Sequence, residues 1–240
     1  MPPLRVALMI LLILTMASPA SARHVLRIGL NDDPDILDPA QSGFFVGRIV
    51  FAAVCDKLID IDAKNDFVPQ LATAWQWSPD SRALTLTLRD GVRFHDGTVL
   101  DADAVRTNLE RYRNAPYSLR KAELKPVSAV EVVDPHTVRL VLAQPYAPLP
   151  AVLADRAGMM ISPAGIARLG NKLADELPCA GPFKLTQRVP QDRIVVDRFP
   201  GYWNADAIKL DEIVYQPIPS TTVRLVDLKA GQLDMVERLG

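Results

Sequence analysis

The passage ALTLTLRDGVRFHDGTVLDADAV constrains the fold more than any other part of the sequence. In its first part every second residue is leucine. Side chains alternate between the two faces of a strand, so this pattern predicts a strand that is buried on one face. Asp90-Gly91 and Asp96-Gly97 follow, and both pairs are typical of turns because glycine tolerates a positive φ. A strand of this kind needs another layer over its apolar face.

The end of the same passage predicts a helix that can supply that layer. Asp101 is placed to cap the helix N-terminus, and Asp103 lies in the first turn, where a negative charge is favoured by the helix dipole. The apolar residues Val105, Leu109 and Tyr112 follow at helical spacing. We interpret the two turns between this strand and this helix as a structural corner.

The rest of the chain mixes strand and helix patterns without repeats. Strand patterns occur at residues 25–30, 127–133 and 137–143 and in the later runs GPFKLTQR, DRIVVDRF and DEIVYQPI. Helix patterns occur at residues 45–59, at 163–169 between Ser162 and Gly170, and at 221–230. Because helices and strands are interleaved, the sequence predicts an α/β fold.

The first residues predict export. Arg5 precedes the uncharged apolar run VALMILLILTMA, and the small residues of SPASA follow it. This succession is typical of a secretory signal peptide, and the run is shorter than the ~20 residues that span a bilayer. We expect cleavage after Ala22, a mature chain that begins at Arg23, and a periplasmic location.

Charge and motif content exclude several function classes. The formal net charge of -1 leaves no basic field for nucleic acid. The sequence contains no Gly-x-Ser-x-Gly run and no Cys-His arrangement for a nucleophile, so a secreted hydrolase is disfavoured. Neither His-x-His nor Cys-x-x-Cys occurs, and His95 has no further ligand at metal-binding spacing. We predict no catalytic residues, no metal site and no cofactor, and interpret His95 as structural.

Cys55 and Cys179 are the only cysteines. An exported chain meets an oxidising compartment in which two thiols commonly pair. A disulfide between them would close a loop of more than a hundred residues, worth ~4 to 5 kcal/mol in the chain-entropy model. The alternative is that each cysteine is a free, buried apolar residue.

A series of longer motifs resembles one protein family. LDPA, PQLATAWQWSPD, the passage quoted at the start, CAGPFKL, RFPGYW and KAGQLDM occur in the order seen in family 5 extracellular solute-binding proteins. The resemblance covers almost all of the mature chain, from about Arg27 to Met235. In that family the quoted passage is a corner of the accessory subdomain, remote from the ligand cleft. Tyr202 and Trp203 belong to a packing motif in most members, which implies a core position.

The resemblance implies an architecture. We expect an α/β, periplasmic-binding-protein-like lobe of class II, cluster C, with a mixed sheet and an accessory α+β subdomain. Family members are much longer, so we expect the second lobe to be missing here. The expected boundaries are 1–22 for the leader, 23–45 for the first part of lobe I, 46–155 for the accessory subdomain and 156–240 for the continuation of lobe I.

The resemblance also implies a function. Family members are the substrate-binding components of ABC importers, which capture oligopeptides or dipeptides and deliver them to membrane permease subunits. We expect a monomer that binds a peptide or other small solute, with no enzyme activity and no nucleic-acid partner. The alternatives are receptors for nickel complexes, haem or another small solute, and, least favoured, a secreted hydrolase. One lobe alone is expected to lack the complete site.

Two pairs of residues near the first strand are candidates for the ligand site by position in the family. Asp32 and Asp33 follow the strand where polar groups meet the amine end of a ligand, and the alternative is a solvated turn. Phe44 and Phe45 are candidates for an aromatic floor under the ligand. Their spacing also fits a helix core, so that alternative stays open.

Two further candidates lie later in the chain. Arg156 and Gly158 occur where the chain returns between subdomains, and the guanidinium could clamp a ligand carboxylate bidentately. An ion pair between Arg156 and Asp155 is the alternative. Ala180 and Gly181 stand where the family has a small-residue turn that faces the cleft. The cysteine before them departs from the commonest pattern, which leaves the ligand class open.

Overall fold

The computed structural model describes residues 23–239, so the predicted leader and its cleavage point lie outside the described residues. The strands are β1 (Val25–Leu30), β2 (Ile59–Ile61), β3 (Phe67–Pro69), β4 (Ala72–Trp77), β5 (Ala83–Leu88), β6 (Val127–Asp134), β7 (Thr137–Leu142), β8 (Phe183–Val189), β9 (Arg193–Arg198), β10 (Glu212–Pro217) and β11 (Met235–Val236). The α-helices are α1 (Phe45–Val54), α2 (Ala102–Asn114), α3 (Lys121–Leu124), α4 (Leu149–Leu153), α5 (Pro163–Leu169), α6 (Leu173–Glu176) and α7 (Thr221–Lys229). Short 3-10 turns lie at Arg156–Gly158, Gly170–Lys172 and Ala205–Ala207.

The strands form two main sheets and a small two-stranded ladder. The larger sheet has the order β11-β1-β10-β9-β8, in which β1 runs parallel to both of its neighbours and the other pairs are antiparallel. The second sheet, β4-β5-β7-β6, is antiparallel throughout, and β2 pairs with β3. The expected mixed-sheet α/β lobe with an accessory subdomain is therefore confirmed.

The four-stranded sheet and α2 form one packing unit. Leu84 and Leu86 are fully buried and Leu88 is nearly so, as the alternation of leucine predicted. Helix α2 covers this face with Leu109 and Tyr112, which belong to the same apolar core. The predicted strand, double turn and helix are confirmed, and the corner between them positions the helix over the sheet.

We expect Asp101→Ala to lower the free energy of unfolding by about 1 kcal/mol, the usual loss for an N-cap. The Asp101 carboxylate accepts a hydrogen bond from the Ala104 amide at 2.8 Å, and alanine would leave that donor unpaired. Asp103→Ala is the matched control, because the Asp103 side chain is exposed and, in the described part of the chain, pairs with Arg106 alone. Its loss should stay within about 0.5 kcal/mol. Urea unfolding measures both values, and equal losses would contradict the capping role.

The five-stranded sheet packs against α1 and forms a second core, in which Leu30, Val50 and Phe51 are fully buried. Helix α1 ends at Val54, so the predicted extension to residue 59 is wrong. The backbone becomes extended at Cys55, and the chain then forms strand β2. The local helical pattern of the sequence does not reveal this change. Helix α1 therefore shares the core of the five-stranded sheet. The domain boundaries at residues 46 and 156 stay predictions.

Cys55 and Cys179 are bonded to each other, with their Cα atoms 4.9 Å apart. This disulfide joins the end of α1 to the segment that precedes β8. Backbone hydrogen bonds reinforce the junction, since the Gly181 amide donates to the Val54 carbonyl at 2.9 Å. Within residues 23–239, no helix is both long enough and apolar enough to cross a bilayer.

Candidate functional site

The loop between β1 and α1 is held in shape by two aspartates. Asp35 accepts hydrogen bonds from the Ser42 hydroxyl at 2.8 Å and from the Gly43 amide at 2.7 Å. Although burial raises the pKa of Asp35, these and other backbone hydrogen bonds bring it below its usual value. Asp38 is fully buried and pairs with Arg111 of α2, with 3.2 Å between Oδ1 and Nη1. The loop therefore holds the Ser42 carbonyl oxygen in a fixed position.

Two buried arginines converge on that carbonyl oxygen. Arg156 Nη1 donates to it at 2.7 Å and Arg120 Nη2 at 3.3 Å. The two residues are only 7% and 4% exposed. Both Nε atoms are fully buried and have no hydrogen-bond partner within residues 23–239. The Arg156 Nε lies 4.0 Å from Asp155 Oδ1, so the alternative ion pair is present, but at a length beyond a hydrogen bond. The two Nε donors therefore keep hydrogen-bonding capacity that residues 23–239 do not satisfy.

Neighbouring charges make this position electropositive. Arg48 of α1 pairs with Asp155, with 3.0 Å between Nε and Oδ1, and Arg120 pairs with Glu123 at 2.6 Å. We call Arg48, Arg120 and Arg156 the arginine cluster. Its three guanidinium groups lie beside two carboxylates, those of Asp155 and Glu123. Burial lowers the pKa of Arg156, and the nearby charges of Arg120 and Arg48 lower it further. A bound anion would relieve this repulsion.

Exposed apolar side chains adjoin the arginine cluster along the chain. Phe44 and Phe45 are 48% and 57% exposed, so the open alternative that they are core residues is wrong. Arg48 lies one helical turn after Phe45 and therefore on the same side of α1. Leu119, next to Arg120, is also half exposed. The aromatic floor stays a prediction, and these exposed side chains are available for it.

The two aspartates after β1 have different surroundings. Asp33 forms a bidentate pair with Arg188 of β8, with oxygen-to-nitrogen distances of 2.6 and 2.8 Å. Its Oδ2 also accepts the Gln191 amide at 2.9 Å. Asp32 is exposed, and among residues 23–239 its carboxylate accepts only the amide of Asp33. Asp33 is thus already paired with a cation, while Asp32 is accessible to a ligand amine.

Three candidates lie in the interior rather than on an open half-site. A Cβ on Gly158 would lie 1.8 Å from the Leu153 carbonyl oxygen, and one on Gly181 would lie 2.4 Å from that of Val54. Ala180 is 1% exposed and belongs to the core beside the four-stranded sheet. Small residues are needed here because backbone segments pack closely. The role of these three residues in the ligand site stays a prediction.

The residues that we interpreted as structural are buried or partly buried. His95 is buried, its Nε2 lies 3.0 Å from the Gly181 carbonyl oxygen, and burial lowers its pKa to about 4. Tyr202 and Trp203 are partly buried, and Trp203 packs against the core of the four-stranded sheet. Among the described residues, no three His, Cys, Asp or Glu side chains gather as a metal site.

Sequence reasoning missed Arg48 and Arg120. In the sequence, Arg48 is one polar position on an amphipathic helix, and Arg120 belongs to a charged loop. They approach Arg156 only because α1, the loop before α3 and the turn after α4 meet at Ser42. No local sequence pattern predicts that these three segments come together.

The signature described as "Bacterial extracellular solute-binding proteins, family 5 Middle" matches residues 66–240. The glutathione-binding protein GsiB of Salmonella paratyphi A is 32% identical over 217 residues, which are 90% of this chain and 42% of GsiB. The chain thus spans less than half the length of this relative.

Solved structures share the fold. OppA of Burkholderia pseudomallei is 21% identical with a TM-score of 0.84, over 90% of this chain and 46% of OppA. AgaA from A. tumefaciens R10, solved with agropinic acid, is 28% identical with a TM-score of 0.84, over 90% of this chain and 44% of AgaA. In both cases the likeness covers nearly all of the described chain and under half of the neighbour.

Proposed function

The chain belongs to family 5 of the bacterial extracellular solute-binding proteins, and from this premise we propose that it captures a small peptide-like carboxylate for an ABC-type importer. Glutathione is the first candidate for that solute. The proposed role is binding and delivery, without catalysis. The proposed partners are the permease subunits of the importer, and the proposed location is the periplasm.

The arginine cluster is the observation that carries this proposal. Its guanidinium groups exceed the adjacent carboxylates by one positive charge, because Asp155 pairs with both Arg48 and Arg156 and Glu123 pairs with Arg120. Guanidinium groups recognise carboxylates with paired, charge-assisted hydrogen bonds. An anion would offset this excess positive charge, which a neutral solute cannot do.

The neighbouring apolar surface narrows the solute class. The two exposed phenylalanines at the start of α1 offer area to an uncharged part of a ligand. Small-molecule sites commonly combine such apolar walls with a few fixed polar groups. Asp32 adds an accessible carboxylate for an amine. A solute with a carboxylate, an amine and an apolar or uncharged middle, as in a short peptide, satisfies all three.

The named relatives support the same class. GsiB is named for glutathione, a tripeptide that carries carboxylates and an amine. AgaA was solved with agropinic acid, which is also a carboxylic acid. The chain spans 42% of the length of GsiB. Residues outside the described range can therefore add contacts that contribute to the affinity for the solute.

Native mass spectrometry of the protein extracted gently from the periplasm tests this proposal. We expect a co-purified solute in the mass range of di- to tetrapeptides, released on unfolding and carrying at least one carboxylate. A metal complex, haem, or a neutral solute in that position would contradict the proposal. Recovery of the protein from the cytoplasm with residues 1–22 attached would contradict the proposed location.

A further inference from the structure

Asp155 lies between two arginines of the arginine cluster. Its Oδ1 accepts a hydrogen bond from Arg48 Nε at 3.0 Å, and its Oδ2 accepts a second one from Arg48 Nη2. The same Oδ1 lies 4.0 Å from Arg156 Nε. Within residues 23–239, Asp155 supplies the one carboxylate with an oxygen within 4.0 Å of the Arg156 guanidinium. Asp155 is thus an internal counter-ion that two of the three cluster arginines share.

The side chains of the cluster differ in their access to water. The Arg48 and Asp155 side chains are 42% and 29% exposed. Those of Arg120 and Arg156 are almost fully buried. A solute that arrives from water therefore meets the Arg48 guanidinium first. Two donors of that guanidinium, Nε and Nη2, are already engaged by Asp155.

The contact between Arg48 and Asp155 is an ion pair that opens easily. Pairs between partly exposed side chains contribute little to stability, because water solvates both charges once they separate. The Asp155 side chain makes no capping hydrogen bond to the 3-10 turn that follows it. Its backbone carbonyl, which a substitution leaves in place, accepts the Gly158 amide at 2.8 Å. The carboxylate is therefore able to leave Arg48 without unfolding this segment.

A solute carboxylate has the same charge and the same pair of oxygens as the Asp155 side chain. Bidentate binding to a guanidinium uses two neighbouring N–H donors, and Asp155 already uses such a pair on Arg48. A second carboxylate that approaches the same guanidinium beside Asp155 is repelled by it. The two carboxylates therefore compete for one cation, whereas an uncharged group meets no such repulsion.

We propose that Asp155 is an internal competitor, which sets the affinity of the arginine cluster for solute carboxylates. Its carboxylate holds the Arg48 guanidinium until a solute carboxylate takes that place and Asp155 turns toward water. Because the site and the solute class are those of the proposed function, this role of Asp155 rests on it. Removal of the Asp155 charge then strengthens binding, whereas removal of the Arg156 charge weakens it.

Calorimetry of Asp155→Asn with glutathione and with its diester tests this role. Asparagine keeps the size of the side chain but removes its charge, so glutathione should bind roughly 10-fold more tightly than it binds the native chain, a change of about 1.4 kcal/mol. The diester has no carboxylate to compete, and its affinity should change less than about twofold. Glu176→Gln is the matched control, because it also removes one negative charge but lies in an exposed pair with Arg168. It should change both affinities less than about twofold.

A purely structural role of Asp155 predicts the opposite result, because loss of the partner of Arg48 would then weaken binding. Unchanged or weaker binding of glutathione by Asp155→Asn would overturn the proposal, and so would an equal gain for the diester or for Glu176→Gln. The proposed function fails in a different way, namely if the native chain does not bind glutathione or if Arg156→Gln binds it as tightly as the native chain does.

Sulfate provides a second readout that does not require glutathione to be the solute. An oxyanion competes with Asp155 for the guanidinium in the same way as a carboxylate does. When sulfate replaces chloride at constant ionic strength, the thermal unfolding midpoint of Asp155→Asn should rise by at least about 2 °C more than those of the native chain and of Glu176→Gln. Equal rises in all three proteins would overturn the proposal, whether or not glutathione binds.

Discussion

Replacing both Cys55 and Cys179 by serine is expected to lower the free energy of unfolding by about 4 to 5 kcal/mol. The disulfide joins residues separated by 124 positions. In the chain-entropy model, such a bond restricts the unfolded chain, and a loop of roughly a hundred residues contributes about 4.7 kcal/mol. Both cysteines are almost fully buried, so the serine hydroxyl groups would also need new partners.

Urea unfolding of the native and double-serine chains measures this loss. Reduction of the native chain with dithiothreitol is the matched control, because it removes the bond without changing a side chain to serine. Its loss should match that of the double variant to within about 1 kcal/mol. Peptide mapping without reductant should recover the two cysteine peptides linked. Two free thiols in oxidised protein, or a loss below about 1 kcal/mol, would contradict this role of the disulfide.

Arg156→Gln is expected to weaken glutathione binding by roughly 100-fold, which corresponds to about 2.7 kcal/mol. Glutamine is shorter than arginine and uncharged, so the charge and the planar pair of donors are lost. A hydrogen bond to a charged group contributes about 1.5 to 3 kcal/mol, which sets the size of the effect. Arg156→Lys should recover only part of the affinity, because an ammonium keeps the charge without the bidentate geometry.

Arg168→Gln is the matched control for this prediction. Arg168 is exposed and pairs with Glu176 away from the Ser42 carbonyl. Its loss should change the affinity for glutathione less than about twofold, since exposed ion pairs contribute little. Similar losses for Arg156→Gln and Arg168→Gln would show that only the overall charge matters. The arginine cluster would then not be the binding site.

Local patterns predicted much of the fold because the forces that set them are local. The leucine alternation of β5 and the Asp101 cap of α2 depend on neighbours within a few residues. The end of α1 was predicted wrongly because the extended conformation after Val54 follows from the disulfide and from pairing of β2, which are contacts with distant segments.

The candidate site was harder to predict from the sequence than the fold was. Arg156 was selected by its position in the family, whereas Arg48 and Arg120 reach it only through the tertiary fold. Gly158 and Gly181 resembled parts of a cleft, but small residues are equally required where two backbone segments pack closely. A single sequence does not distinguish these two reasons for glycine.

The central claim is that the protein binds a small peptide-like carboxylate through the arginine cluster. Calorimetry with glutathione and with glutathione esterified at both carboxylates tests it most directly, because the two solutes differ chiefly in negative charge. We predict that glutathione binds and that the diester binds at least roughly 100-fold more weakly, a gap of about 2.7 kcal/mol. Equal affinities, or no binding of glutathione by the native protein, would contradict the account.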